Sequence, residues 1–373
     1  MRSALLALAL LAARPCPAKT VVIDIAKEFG VTPGGIKLAV AAAERALATD
    51  ATSEVELYLG PGVHSVNETG DLFVLDKITP KHPGRLVIRG AGMDATTLVT
   101  SGLGVTVFSR ASSHVSVRDL TFSRSSRTVT QGVVRSCSAD RAVLEISPGF
   151  PSPLSIYDAS SGQGRYVRAY TDSATDPRLV VDPANNGTVW PPTRNAQAAW
   201  DDPREVSPGV WSLSLRGRFE PWQAGALLAV KSKHQQNAYF FDGGDDVAFQ
   251  RVQWLRHSRG VVRGGISNVL FDGCVVERGS PVLGRAPALA TPGGGPQIGQ
   301  PGDPAVHNVT VSNHSSVGTG DDSIALFHVA QGAVRDSRVS DSFARGILLY
   351  DSPSVELSGN DVRRCPVFRT TTG

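Results

Sequence analysis

The string Gly318-Thr319-Gly320-Asp321-Asp322-Ser323-Ile324-Ala325-Leu326 sets two adjacent carboxylates directly before an apolar alternation that reads as a strand. Carboxylates this close raise one another's pKa. Cleavage of a glycosidic bond needs such an inequality: a protonated acid for the leaving oxygen, and an ionised carboxylate as base or nucleophile. Gly-Asp-Asp is also good turn chemistry, and the chain contains a comparison. Gly244-Asp245-Asp246 falls directly before Val247-Ala248-Phe249, at an ordinary turn-to-strand step, and reads as structural. Asp321 and Asp322 stand about twelve residues after Val309, elsewhere in the repeat, and are the catalytic candidates.

Neighbours follow from the repeat length. One period beyond Asp321 lies Arg345, in Phe343-Ala344-Arg345-Gly346-Ile347, suited either to a substrate carboxylate or hydroxyl or to an ion pair with Asp321. One period before it lies Gln297, with Asp303 the nearest carboxylate. His328 follows the strand after the aspartates and flanks the site or sits on the surface. Tyr350-Asp351 follows the next strand. His314 and Cys274 occupy matching places and read as core.

A repeat of about 22 residues must position these groups. A polar residue followed by alternating apolar ones recurs at His114-Val115, Asp246-Val247, Asn268-Val269, Asn308-Val309 and Ser354-Val355. Val247 to Val269 is 22 residues, Val269 to Val309 is 40, and Val309 to Val355 is 46, or two periods of 23. Units this short cannot bury an apolar face alone and must stack. The expected fold is all-β, a right-handed parallel β-helix (solenoid). An N-terminal capping helix is expected from Pro33 to near Thr49, with Ile36, Val40, Ala43 and Leu47 on one face. Residues 126–230 break the period and hold four of the five tryptophans, Trp190, Trp200, Trp211 and Trp222. They read as an inserted, barrel-like β-domain whose indoles serve a small core or stack on sugars. The expected division is a signal peptide over 1–18, cap and first coils over 19–125, the insert over 126–230, and coils carrying the site over 231–373.

Composition narrows the classes. The 373 residues carry a net charge of +3 with no long run of like charge, so neither nucleic acid nor an anionic membrane is an expected partner. Met1-Arg2 and the apolar Ala4–Ala13 read as an export signal, too short to span a bilayer. Secretion to the extracellular space is expected. Beyond it stand Cys137, Cys274 and Cys365, an odd number without zinc spacing, which allows at most one disulfide.

The strand-turn repeat, the Gly90–Leu98 string (Gly-Ala-Gly-Met-Asp-Ala-Thr-Thr-Leu) and Gly320-Asp321-Asp322-Ser323-Ile324-Ala325-Leu326 together resemble the pectate-lyase-like β-helix superfamily. The site string is similar to that of polygalacturonase-type glycosidases. The layout also resembles α-1,3-galactosidases acting on blood-group-B-type glycans. The resemblance implies that Asp321 and Asp322 are the paired aspartates and Asp303 the third. Where polygalacturonases have His-Gly one coil later this chain has Arg345-Gly346, and no Arg-x-Lys is evident; a glycan other than galacturonan is implied. The leading expectation is a secreted, inverting glycoside hydrolase with a polysaccharide or glycan substrate, needing no metal or organic cofactor. The alternatives are a polysaccharide lyase or epimerase, with Arg345 or Tyr350 as base, and a non-catalytic glycan-binding β-helix.

Overall fold

A computed structural model describes residues 20–49, 54–68, 70–79, 84–102, 104–157, 165–169, 180–182, 187–189, 197–217, 219–232 and 237–365. The export segment and Trp190 lie outside these. The molecule is mostly β, with extensive parallel sheets, as a parallel β-helix requires.

Strands separated by one repeat pair side by side. Val247 pairs with Val269, Val269 with Val309, Val309 with Gly332, and Gly332 with Val355. The 46-residue step therefore spans two coils, with Gly332–Arg335 the strand between. Running backward, Val247 pairs with Val115, Val115 with Leu86, Leu86 with Val55, and Val55 with Val21. These strands belong to a fifteen-stranded parallel sheet, and a seven-stranded parallel sheet runs beside it. The latter has the order 347–350, 324–327, 296–298, 260–262, 239–242, 107–110, 73–76.

Each coil bends at matching points, and one of the bends explains the polar residue in the repeat. His114, Asp246, Asn268 and Asn308 all have positive φ and directly precede strand residues that pair in register; Asp119, Gly273, Asn313, Asp336 and Gly359 also have positive φ and follow such residues. That backbone region is open to Gly and tolerated by Asn and Asp. The apolar residues between bends point inward and form one continuous core from Ile23 to Val339. Phe249 and Phe271 stack within it at 4.7 Å between centroids. Cys274 and His314 are fully buried there; burial pushes the thiol up to about 12 and the imidazole down to about 3. Cys137, Cys274 and Cys365 are all free thiols, so none of them forms a disulfide.

The helix Pro33–Thr49 buries Ile36, Val40, Ala43 and Leu47 against this core, in contact with the first strands. Thr32 caps it through Oγ1, which accepts from the Gly35 amide at 3.0 Å. Among the described residues no helix is long and apolar enough to cross a membrane.

Between Arg124 and Tyr239 the coil is interrupted by a closed antiparallel barrel. Its strands run in the order 141–146, 210–216, 197–207, 165–169, 227–232, 129–137. Trp200 and Trp211 are buried, and Trp222 packs partly buried against the cluster that contains Trp200. Trp200 Nε1 donates to the Lys231 carbonyl at 2.8 Å. Trp200 and Trp211 therefore fill barrel interior and offer no exposed face to a sugar.

Phe271→Ala should cost about 3–5 kcal/mol, because a fully buried ring stacked on Phe249 leaves a cavity that the close-packed coils cannot fill. Denaturant unfolding at equilibrium measures it.

Candidate active site

One corner of the coil carries most of the polar side chains of interest. It is the turn by which each coil enters the seven-stranded sheet. In one coil the turn is replaced by the barrel; in the next it is His257-Ser258-Arg259, then the long segment 277–295, then Gly318–Ser323, then Asp341–Gly346. Adjacent parallel strands lie about 4.8 Å apart, so the Asp321-Asp322 turn is roughly 14 Å along the stack from the root of the barrel.

The turn is fixed by its neighbours. The Ser323 hydroxyl hydrogen-bonds the hydroxyls of Ser342 at 2.6 Å and Thr319 at 3.0 Å, and Thr319 Oγ1 donates to the Asp321 carbonyl at 2.9 Å. The Phe343 amide donates to the Thr319 carbonyl at 2.7 Å. Two glycines allow the close stacking: a Cβ on Gly294 would lie 2.3 Å from the Asp322 carbonyl oxygen, and one on Gly320 would lie 2.4 Å from that of Thr291.

Asp322 is 6% exposed, and Asp321 is half-buried. Arg345 grips Asp322 with three donors: Nε to Oδ1 at 2.6 Å, Nη2 to Oδ2 at 3.0 Å, and its own amide to Oδ1 at 3.0 Å. Arg345 is thus ion-paired with Asp322, because residues 322 and 345 face each other across adjacent coils. Burial above all, and then the Asp321 charge, push the Asp322 carboxyl up, while Arg345 pulls it back. Asp321 acts electrostatically on Arg259, whose own pKa is lowered by burial. Arg259 also donates to Gln297 Oε1 at 2.8 Å. Gln297 pairs with Ala325, so its side chain stands on the outer face of the sheet beside the aspartate turn.

The barrel reaches the same corner. Lys231 is buried; its Nζ donates to the Gly320 carbonyl and lies 4.2 Å from the Phe343 ring centroid. Arg168, from another barrel strand, donates to the Phe343 carbonyl. Phe343 packs with Val129, Ala229, Ala288 and Leu289 into an apolar cluster shared by barrel and coils. Residues held by the barrel therefore touch both turns that carry Asp322 and Arg345.

Asp303 and His328 lie beyond the other end of the strand Ile324–Phe327, roughly 20 Å along the strand direction from the aspartate pair. Asp303 is bound by Arg263 Nε at 2.7 Å, Arg263 Nη2 at 2.6 Å and the Gly264 amide at 3.0 Å. The Arg263 contact holds its carboxyl below the usual range. His328 Nδ1 is 2.7 Å from Asp351 Oδ2, and its ring meets that of Tyr350 edge-on at 5.8 Å. The structure thus brings Asp321, Asp322, Arg345 and Gln297 together and sets Asp303 and His328 at the far rim of the same sheet. Among the described residues no group of three or more His, Cys, Asp or Glu could hold a metal ion.

The other Gly-Asp-Asp is engaged in holding coils together. Asp246 Oδ2 accepts from Arg85 Nη2 at 2.5 Å and lies 2.8 Å from His114 Nδ1. Arg259, Lys231 and Arg168 were not evident from sequence. Arg259 could have been found by repeat alignment with the aspartate turn. The two barrel cations have no period to align.

Arg345→Met should leave Asp322 buried beside Asp321 without its cation, at a cost of about 3–5 kcal/mol at neutral pH. The sign follows from the raised carboxyl: its folded pKa moves further above the unfolded value. The deficit is then largest above the folded midpoint and shrinks as pH falls toward ordinary aspartate values. Unfolding free energies between pH 4 and 8, with a carboxylate NMR titration, measure both.

No family model and no curated protein matches the chain. Among solved structures it is similar to the catalytic domain of a glycoside hydrolase family 87 α-1,3-glucanase in complex with tetrasaccharides, at 13% identity and a TM-score of 0.40. That match covers 97% of this chain and 48% of the other, so the chain spans about half its length. A structure described as a glycoside hydrolase is 9% identical, with a TM-score of 0.44, covering 90% of this chain and 80% of that one. The A-module of a mannuronan C-5 epimerase from Azotobacter vinelandii is 12% identical, with a TM-score of 0.24, covering 90% and 94%.

Proposed function

We propose that the chain is a secreted carbohydrate-active enzyme, a glycoside hydrolase that inverts through carboxylates at the Asp321-Asp322 turn. In this reading the helix Pro33–Thr49 caps a right-handed β-helix and the barrel is an inserted domain that walls the site. The observation that carries it is the unequal pair itself. Asp322 is buried and pushed up by burial and by its neighbour, while Asp321 is half-buried and faces the positive field of Arg259. Unequal neighbouring carboxylates are what an acid and a base in one site require. Asp321, the more accessible, meets substrate; Asp322, held by Arg345, lies buried behind it; Asp303, at the far rim of the sheet, is the third carboxylate of this reading.

The lyase or epimerase reading is weaker for Arg345 as a base, since three of its donors are committed to Asp322. Tyr350, 42% exposed, keeps that reading open to test.

Incubation with galactans, sulfated algal glycans, galacturonans and α-galactosides should release reducing ends without absorbance near 235 nm. Asp321→Asn should lower kcat by about 10²–10⁴-fold with substrate binding retained. Unsaturated product would move the assignment to a lyase. Glycan binding without turnover in the wild type would make the turn structural.

A further inference from the structure

Lys231 stands on the barrel strand Leu227–Ser232, yet its amine belongs to the aspartate corner. The residue is 2% exposed. Its Nζ donates to the Gly320 carbonyl, part of the peptide group whose nitrogen belongs to Asp321. The same Nζ lies 4.2 Å from the Phe343 ring centroid and 5.4 Å from that of Tyr166. The Phe343 amide in turn donates to the Thr319 carbonyl at 2.7 Å. One barrel cation is therefore wedged between the turn that carries Asp321 and Asp322 and the turn that carries Arg345.

These contacts suit an ammonium. A carbonyl oxygen and two aromatic faces stabilise the charged amine, and the neutral form gains much less from either. Arg168, 7% exposed and bound to the Phe343 carbonyl, stands beside it; burial lowers it to about 10, so it too is charged at neutral pH.

The coils supply the other charges that face this turn. Asp322 presents a like charge to Asp321. Arg345 is spent on Asp322 through three donors. Arg259, two coils before, acts on Asp321 and donates to Gln297 Oε1 at 2.8 Å. Arg278 lies against Gly318 but is paired with Asp341 at 3.1 Å. Asp321 thus has a carboxylate on one side and cations from two different parts of the fold on the others. At the effective dielectric of a protein, a unit charge about 7 Å away changes a proton equilibrium more than tenfold. A buried ammonium on the Gly320–Asp321 peptide is placed to offset Asp322 in that way.

We propose that Lys231 is a positioning residue of the site, which from the barrel orients the Gly320–Asp321 peptide and supplies the positive charge that keeps Asp321 ionised as the base. This rests on the reading of Asp321 as the carboxylate that meets substrate. It gives the inserted barrel a part in the chemistry, because the pair is electrostatically complete only when the barrel is docked on the coils.

The test compares Lys231→Met and Lys231→Arg with the wild type in the full chain. A carboxylate NMR titration, assigned with Asp321→Asn, needs no substrate. The Asp321 midpoint should move to higher pH in Lys231→Met, since a cation is lost, and should hold in Lys231→Arg. The acid limb of the kcat profile should move the same way. On that limb kcat should fall about tenfold in Lys231→Met with KM little changed, and Lys231→Arg should restore most of it. Where Lys231→Met does not fold, the reciprocal measurement serves: Asp321→Asn should lower the midpoint of the Lys231 ammonium, because the coupling between two sites is mutual. An Asp321 midpoint unmoved in folded Lys231→Met, or a Lys231 midpoint unmoved in Asp321→Asn, would overturn the proposal. So would equal loss of activity in Lys231→Met and Lys231→Arg with both titrations unchanged, which marks a merely structural side chain. A moved midpoint in a chain that turns over no glycan would support the charge coupling and overturn the hydrolase reading alone.

Discussion

Everything in this molecule depends on parallel register between coils. Each strand has its backbone partners one repeat away, and the apolar residue of one coil rests on that of the next. No coil buries its inner face alone. The same register makes corner residues 20 to 40 positions apart into neighbours, at a spacing of about 4.8 Å. Asp322 meets Arg345, Arg263 meets Asp303, and Asp341 meets Arg364, all for that single reason.

The consequence is a division of labour around the coil. Two of its corners are built from left-handed turns with Gly, Asn and Asp, and their acids are spent on neighbouring coils, as Asp246 is on Arg85 and His114. The corner leading into the seven-stranded sheet has irregular lengths. Its five successive turns include a barrel, a long loop and the Asp321-Asp322 turn. Irregularity lets side chains of different origin converge there, and loops on a rigid scaffold are where binding and chemistry concentrate.

The barrel belongs to this corner energetically as well as topologically. Lys231 and Arg168 place buried cations on the carbonyls of Gly320 and Phe343, and Phe343 joins an apolar cluster with barrel residues. A buried cation on a backbone carbonyl strongly disfavours alternative placements of that turn, because separation would strand both groups away from water. The aspartate turn is thereby held from two sides, by the coils along the stack and by the barrel across it.

The period, the parallel stacking and the helix Pro33–Thr49 were legible in the chain, because Val247, Val269, Val309 and Val355, like Ile36, Val40, Ala43 and Leu47, obey local spacings that local physics imposes. Asp321, Asp322 and Arg345 were also legible, as neighbouring carboxylates in one repeat and a cationic partner one repeat on. Which aspartate Arg345 would grip was not, since a shift of one residue in register exchanges Asp321 for Asp322, and hydrogen bonding between coils alone sets that shift. Nor could the chain alone reveal Lys231 beneath Gly320, or Arg168 on the Phe343 carbonyl. Those contacts join segments with no common period, and only the packing of barrel against coils brings them together.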